Sequence, residues 1–582
     1  MAASKLQVPG VGLPLNHESV KAFPHGLLSY CPPIATLREI NMVRAMNATT
    51  DKPDWTTKIN DPAITEKWRA EIKEQLDFTD KMFDWCLAEL KDKAEQFRKE
   101  NFVVAIDGDV CKSDTLISEE TRLEIAEAIK VLEDVPESQK DWHPGSDDQV
   151  LDLVHPSLFP LVYGKSRIVE DKLITLENCL ENIGTGTVLP PVRDGANLSK
   201  SKGNISIPHA WSKNFQWLPA DVSLKEVDGQ KTVKFESYVN NLHPRHTSLY
   251  RILEQVILKS IPMWSQTLLG ASAMDKTEIR LPWNIKYDFD EDAVPEDVYS
   301  EDDDEDARWD KTRDWMRSMR EEHVIQPDAP DYKPWPSRVL NYDGDLELDL
   351  WEKYKDKGLQ VIVKFASIYL TPEKPEYPGG VWHYEGQLND HIVATSIYYY
   401  SNENITPSSL KFRQEVDTEA AIEWPYEQNE HEFMGALFGI GNEEAAVQKI
   451  GKIDTKQGRL VTFPNTLQHR VQPFELEDPT KPGHRKILVV FLVDPHTRVI
   501  STANVPPQRK DWWEEVLNAD SGKRLNRLPQ ELRDMIVDSV DDFPIDMEAA
   551  KKLRVDLMEE RKTYVEDQNR ELEENIFSLC EH

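Results

Sequence analysis

Four residues in the C-terminal half of the chain have types and an order that could do redox chemistry. His383 and Glu385 stand one residue apart in GGVWHYEGQLNDHIVATSIYYY, and His469 and Arg485 follow in FPNTLQHRVQPFELEDPTKPGHRKILVVFLVDP. Two imidazoles and one carboxylate make a three-ligand face that suits Fe(II) and leaves coordination positions open for other ligands. A guanidinium beyond the second His can hold the far carboxylate of a 2-oxo acid in a bidentate pair. Residues i and i+2 of a strand project to the same face, so VWHYEG, if extended, aims His383 and Glu385 into one interior. A His-x-Glu pair alone arises by chance on many surface strands. The order, spacing and strand context of His469 and Arg485 turn it into a candidate metal site.

Other residues are weaker candidates. Tyr399 alternates with Val393, Thr395 and Ile397, and its hydroxyl could support the carboxylate held by Arg485; the competing reading is a core aromatic. Arg413 in LKFRQ, and Asn241 with His243 in NNLHP, are candidates for lining a substrate cavity, set against an Arg solvating a strand edge and a His capping a turn before Pro. Lys364 in VIVKF is a second carboxylate partner, as a point charge, with Arg485 preferred for its place after His469. His391, His431, His484 and His496 lie in the same region without a place in the triad. His155, His209 and His246 have no spaced partner.

The elements that must position these residues follow from periodicity. From Leu359 the chain reads as strands, LQVIVKFASIYL, VWHYEG, HIVATSIYYY, LKFRQ, RLVTFP, HRVQPFEL and KILVVFLVDP, separated by Pro, Gly and Asn turns. Before them, Ile64 to Lys99 keeps one apolar face at helical spacing, as one helix or a broken pair. A helix from about Glu119 to Leu132 opens after Ser118, a good N-cap. Residues 150–241 mix short apolar runs with the strand-like KTVKFESYV, and Thr247 to Trp264 reads as an apolar helix. The acidic run of residues 287–312 predicts a solvated, mobile loop or lid, because like charges repel. Helices are expected again from Arg509 to Leu517, from Pro529 to about Val540, and from Asp546 to about Asn575, buttressing the outer face of the β unit or carrying a homodimer contact. The expected organisation is an arm and helical scaffold (1–150), a mixed α/β layer (151–286), an acidic insertion (287–340), a β core (341–508) and C-terminal helices (509–582).

The order His-x-Glu, distant His, then Arg in the next strand resembles the 2-oxoglutarate/Fe(II)-dependent oxygenase superfamily. With VLDLVHPSLFPLVYG, FQWLPADV and SYVNNLHP, these segments also resemble a large fungal family of long proteins described mainly as a domain of unknown function. The first resemblance implies an α+β fold around a double-stranded β-helix (jelly roll). His383, Glu385 and His469 would ligate Fe(II), Arg485 would pair with 2-oxoglutarate, and O2 would oxidise a substrate with release of succinate and CO2. Glu385 departs from the commoner Asp by one methylene. The expected reaction is hydroxylation, desaturation or oxidative cyclisation of a small, amino-acid-like or secondary-metabolite substrate. The alternatives are a jumonji-type protein hydroxylase or demethylase and a non-catalytic jelly-roll scaffold.

Composition narrows the classes. Lys plus Arg number 69 against 104 Asp plus Glu, a net charge of −35, which argues against coating a nucleic-acid backbone. The Cys residues 31, 86, 111, 179 and 580 form no CxxC pair, so neither a disulfide framework nor a zinc ribbon is indicated. The first residues lack the apolar core of a signal peptide, and no run reaches membrane-spanning length. A cytoplasmic or nuclear protein is expected.

Overall fold

Long alternating runs of β-branched and aromatic residues set the architecture, because such side chains pack well on a pleated surface. The computed structural model describes residues 6–578 except 29, 193–199, 203–204, 208, 273–279, 283–284, 291–293, 301, 335–347, 419–430, 520–528, 530, 533–534, 536–538 and 540–542. The fold is mixed α+β with antiparallel sheets. Its strands are β1 (Val103–Ile106), β2 (Val110–Ser113), β3 (Val150–Val154), β4 (Ala220–Val227), β5 (Gln230–Phe235), β6 (Leu359–Leu370), β7 (Ile392–Glu403), β8 (Ser409–Glu415), β9 (Val447–Asp454), β10 (Leu460–Pro464), β11 (Gln468–Val471) and β12 (Gly483–Val493).

The larger sheet has the order β5-β4-β6-β12-β7-β10-β2-β1, with β3 also paired to β6. A smaller sheet has the order β9-β8-β11. Its free side is extended by an isolated bridge between His383 and His469 and by the short pair Glu376–Tyr377 with Phe474–Glu475. Strands from residues 103–113, 150–154 and 220–235 are thus built into the same sheet as those after residue 359.

Alternation sorts the side chains into two cores. Ile362, Ile397, Tyr399, Phe463, Val489 and Phe491 of the larger sheet meet Leu410, Phe412 and Ile450 of the smaller one in a shared interior. Val361, Val363, Phe365, Tyr398, Tyr400, Leu488 and Val490 point the other way and pack on helix residues such as Leu253, Val256, Ile257 and Trp264. A register shift between Ile392 and Ala394 puts Val393 with the outer group; it does not share a face with Tyr399, because a bulge resets the period of two.

The helices are α1 (Leu37–Thr50), α2 (Pro62–Gln75), α3 (Asp80–Glu100), α4 (Glu119–Ala128), α5 (Thr247–Ser272), α6 (Glu305–His323), α7 (Glu432–Phe438), α8 (Lys510–Ala519) and α9 (Met547–Glu574). The amphipathic run of residues 64–99 is two helices, α2 and α3. The acidic stretch is irregular, as expected, over most of its described residues up to Asp304, but its last residues, from Glu305, open a helix. Residues 291–293 and 301 lie outside the described residues, but Asp304 caps α6 by accepting from the Ala307 amide, and Glu305 and Asp306 fill its first turn. Acidic side chains are stabilising at that end of a helix. Much of the helix expected over 529–540, and Cys580, lie outside the described residues. No helix among the described residues is long and apolar enough to cross a membrane.

The C-terminal helix α9 is not confined to an outer face. Leu557 enters the core between the sheets, Tyr564 and Leu572 pack in a neighbouring cluster, and Asn569 reaches the segments that carry His383 and His469.

Candidate metal centre

His383 lies in an irregular segment, not in the strand expected for VWHYEG. A single antiparallel bridge holds it opposite His469, with backbone hydrogen bonds of 3.3 and 3.1 Å. The chain then bends at Glu385 and turns through Gly386, whose φ of 71° suits glycine; a Cβ there would stand 2.7 Å from the Asp390 carboxylate. Asn465 fixes the bend. Its side-chain oxygen accepts from the Glu385 amide at 2.8 Å, and its nitrogen donates to the carbonyls of Glu385 and Ile392 at 3.0 Å each. The two ligands therefore face one interior through a bridge and a clamped bend instead of through the pleat of a strand.

The ligand atoms of His383, Glu385 and His469 lie within 4.8 Å of one another. Glu385 Oε1 is 3.1 Å from His469 Nε2 and 3.9 Å from His383 Nε2. A metal about 2.1 Å from each of two ligands at right angles separates them by about 3 Å, so the first distance fits and the second needs under 1 Å of closure. His383 Nδ1 meets the Val381 carbonyl at 2.9 Å, which leaves Nε2 as the ligating atom, the usual support for a metal-binding histidine. His469 is buried against Phe463, ring centroids 4.7 Å apart, and its Nδ1 has no hydrogen-bond partner.

Electrostatics favour cation capture. Burial alone would raise the Glu385 carboxyl, but the hydrogen bond from His469 and the two imidazoles outweigh it and hold it at about 2. Burial, then repulsion from His469, lowers His383 to about 4, although its side chain is still 31% exposed at the mouth. An ionised carboxylate and a neutral imidazole are the forms that bind a metal.

Arg485 opens β12 opposite Ile368 of β6. Only 2% exposed, it donates to Ser408 Oγ at 3.1 Å and stacks on Phe474 and Tyr399 at 4.6 and 5.8 Å. Its Nε has no partner, and no carboxylate of the described residues pairs with it. Burial lowers its pKa and raises Tyr399 to about 12, with Arg485 opposing. Tyr399 thus stands beside the guanidinium within the core.

The remaining sequence candidates lie apart or are engaged. Arg413 donates to Gln468 at 2.7 Å and to Asn569 at 2.7 Å, and covers the Trp382 ring at 4.9 Å. Asn569 also accepts from Gln468 and donates to the Trp382 carbonyl. The residues preceding both ligand histidines are thereby tied to α9, and Arg413 is bound into that tie instead of standing free for a substrate. Asn241 donates to the carbonyls of His155 and Leu158. His243 packs on Trp512 at 4.7 Å, 3.5 Å from Glu515. Both are spent on loop and helix packing and neither contacts the triad.

Sequence reasoning missed Asn465 and Asn569, neither of a ligand type. It also set His155 aside, yet His143, Asp152 and His155 form a second cluster with atoms within 4.8 Å. There the Ser157 amide donates to His155 Nδ1 at 3.2 Å, leaving the proton on Nε2, and the cluster fits a hydrogen-bonded network better than a metal site. A cleft of 1230 Å³ lies elsewhere, lined by Glu39, Glu89, Asp107 and Arg280 and bordered by Pro334 and Leu348, which flank undescribed residues; it contains none of the triad.

Fold and site together define a mixed α+β protein with a largely enclosed His/Glu/His cluster and a buried arginine that pairs with no carboxylate of the described residues, between two antiparallel sheets. The chain belongs to the family described as "Protein of unknown function (DUF4246)", whose model matches residues 80–516, with "Domain of unknown function DUF4246, N-terminal" matching residues 8–71. No curated protein matches. Solved structures with local likeness include IDO from Bacillus thuringiensis (14% identity, 24% of this chain and 48% of that chain, TM-score 0.15). Others are the Fe(II)/(alpha)ketoglutarate-dependent dioxygenase TqaL (14%, 25% and 48%, 0.16) and a bsmA homolog from Methylobium petroleophilum PM1 (9%, 30% and 60%, 0.15). The chain spans about half the length of the first two and 60% of the third, and likeness at that level says nothing of function.

Proposed function

We propose that this protein is a non-haem Fe(II)/2-oxoglutarate-dependent oxygenase, built on a double-stranded β-helix and acting on a small molecule. The strand arrangement supports the fold. In chain order β6, the 376–383 segment, β7, β8, β9, β10, β11 and β12 fall to the larger, smaller, larger, smaller, smaller, larger, smaller and larger sheet, the alternation that winds two four-stranded sheets into a jelly roll.

The observation that carries the activity is Arg485. A guanidinium taken out of water without a counter-ion is costly, and this one, on the inner face of its strand, has a serine hydroxyl, two stacked rings and Tyr377 nearby but no carboxylate partner among the described residues. A ligand that brings a carboxylate removes that cost, and 2-oxoglutarate has a carboxylate to spare beyond the 2-oxo acid end that would chelate the metal. Bound Fe(II) supplies the activation of O2 coupled to decarboxylation of 2-oxoglutarate. His383, Glu385 and His469 would hold the metal, Arg485 would orient the cosubstrate, and Tyr399 and Phe474 keep water from the guanidinium. The balance is one substrate C–H, O2 and 2-oxoglutarate giving hydroxylated substrate, succinate and CO2; desaturation or ring closure instead releases water.

Anaerobic protein with Fe(II) and 2-oxoglutarate should show a weak visible charge-transfer band and, with O2, form succinate. His383→Ala and His469→Ala should each lose the band. No band and no succinate refutes the proposal; iron retained by both variants moves the site elsewhere.

A further inference from the structure

Lys364 is a cation among the described residues that faces the interior and that the proposed chemistry leaves unused. On β6 it lies opposite Val489 of β12, which lies opposite Ile397 of β7. Val489 and Ile397 belong to the core between the sheets, as does Ile362, two residues before Lys364. Residues directly opposite in a ladder share a face, so Lys364 points inward. It is half-buried, and no hydrogen bond or ion pair to its ammonium exists among the described residues. Arg485 pairs with Ile368, four residues along β6 and about 13 Å away at strand spacing. Lys364 lies within electrostatic reach of His383 and Glu385 and of Asp152 and His155; Asp152 sits on β3 opposite Ala366, two residues along β6 from Lys364.

Most other charges nearby have partners. Asp152 Oδ2 has His143 at 2.7 Å and Arg554 at 3.7 Å, with its Oδ1 free of hydrogen bonds; Asp141 has Arg554 and Lys551, and Asp390 has Arg561, which lies 3.8 Å over Trp217. In the loaded site a divalent metal answers Glu385 and one cosubstrate carboxylate, and Arg485 answers the other. Lys364 is left without a hydrogen-bond or ion-pair partner among the described residues, on an inner face it shares with Ile362, Ile397 and Val489. An amine or a lysine-bearing peptide would be repelled there.

We propose that Lys364 binds a monoanionic group, a carboxylate, on a substrate whose remaining body is apolar. This rests on the oxygenase reading above and names the substrate class for that site. A lysine suits the task because its ammonium is a point charge that adapts to the position of a single anion.

The test uses full-length protein loaded with Mn(II) and N-oxalylglycine, an unreactive stand-in for 2-oxoglutarate. Straight-chain monocarboxylates from acetate to octanoate, and the amines of matching length, are titrated calorimetrically. The carboxylates should bind with affinity rising with chain length, and the amines should not. Lys364→Met should weaken carboxylate binding about tenfold or more, Lys364→Arg should retain most of it, and both should keep the melting temperature and bind N-oxalylglycine within about twofold of wild type. Three results overturn the inference: carboxylates that do not bind, carboxylates that bind Lys364→Met equally well, or N-oxalylglycine weakened by Lys364→Met, which would make the lysine a cosubstrate residue. Failure of N-oxalylglycine to bind metal-loaded wild type instead overturns the oxygenase reading, and the carboxylate series on metal-loaded protein alone then still reports on Lys364.

Discussion

Replacing Arg485 by Met should make the unliganded protein more stable and leave it unable to hold the cosubstrate. The guanidinium has five N–H donors, of which Ser408 takes one at 3.1 Å while Nε stays unpaired. A buried N–H without a partner costs about 1–3 kcal/mol, more when charged. Against this, the contacts with Phe474 at 4.6 Å and Tyr399 at 5.8 Å are worth about 0.5–2 kcal/mol together, and Met fills similar volume without the charge. The net expectation is a gain near 1 kcal/mol, read as a higher denaturant midpoint. In wild type, Mn(II) with 2-oxoglutarate at 100 times its dissociation constant should add about 2.7 kcal/mol. In Arg485→Met that increment should shrink to what the metal alone supplies, because losing a buried partner of a carboxylate costs about 2–5 kcal/mol, or 30- to 5000-fold in affinity. A variant that is destabilised by more than about 1 kcal/mol yet keeps its cosubstrate response would show that Arg485 is a packing residue and refute the reasoning.

Further outcomes follow from the same geometry. Asn465→Ala removes three hydrogen bonds around Glu385 and should weaken metal binding about 10- to 100-fold in a competitive chelator titration; unchanged affinity would mean the bend holds itself. Asn569→Ala cuts the link from α9 to Trp382, Gln468 and Arg413, and should speed amide exchange at His383 and His469 relative to the rest of β11 and β12. The Glu571 carboxyl is raised to about 7 by burial, then by Asp567, Glu574 and Glu415. Its folded value lies above the unfolded one of 4.5, so the native state binds more protons and stability falls as pH rises from 4.5 through 7. Glu571→Gln should therefore raise the melting temperature at pH 8 and leave it unchanged at pH 4; an equal shift at both would remove the electrostatic explanation.

What could be read in the sequence, and what could not, has a physical division. Strands such as LQVIVKFASIYL and KILVVFLV declare themselves through local alternation, and the place of Arg485 on the inner face follows once its strand is known. The long helices were legible for the same reason, since periodicity and caps are local. The segment around His383 was misread as a strand because its conformation is imposed from outside, by the bridge to His469 and by Asn465, residues distant in sequence. Only the end of the acidic run was misread, because charge repulsion was weighed without the cap: Asp304, Glu305 and Asp306 oppose each other but favour the N-terminus of α6.

The same division explains why Asn241 and His243 looked available and turn out to be engaged, and why the face that Lys364 occupies was not legible from its strand alone. A polar residue near a turn looks available until its partners are known, and here those partners are carbonyls of His155 and Leu158 and the ring of Trp512. A lysine in the middle of an apolar strand looks like an exception until the register shows which face it occupies. Glu385 stands between these cases. Its type was legible and its longer side chain looked like a departure from the shorter Asp, but the chain bends away at Gly386, so the extra methylene reaches from a bend to a position that a strand would serve with less. Glu385→Asp should accordingly weaken metal binding instead of improving it; tighter binding by the Asp variant would show that the bend follows from the metal site and does not determine its ligand.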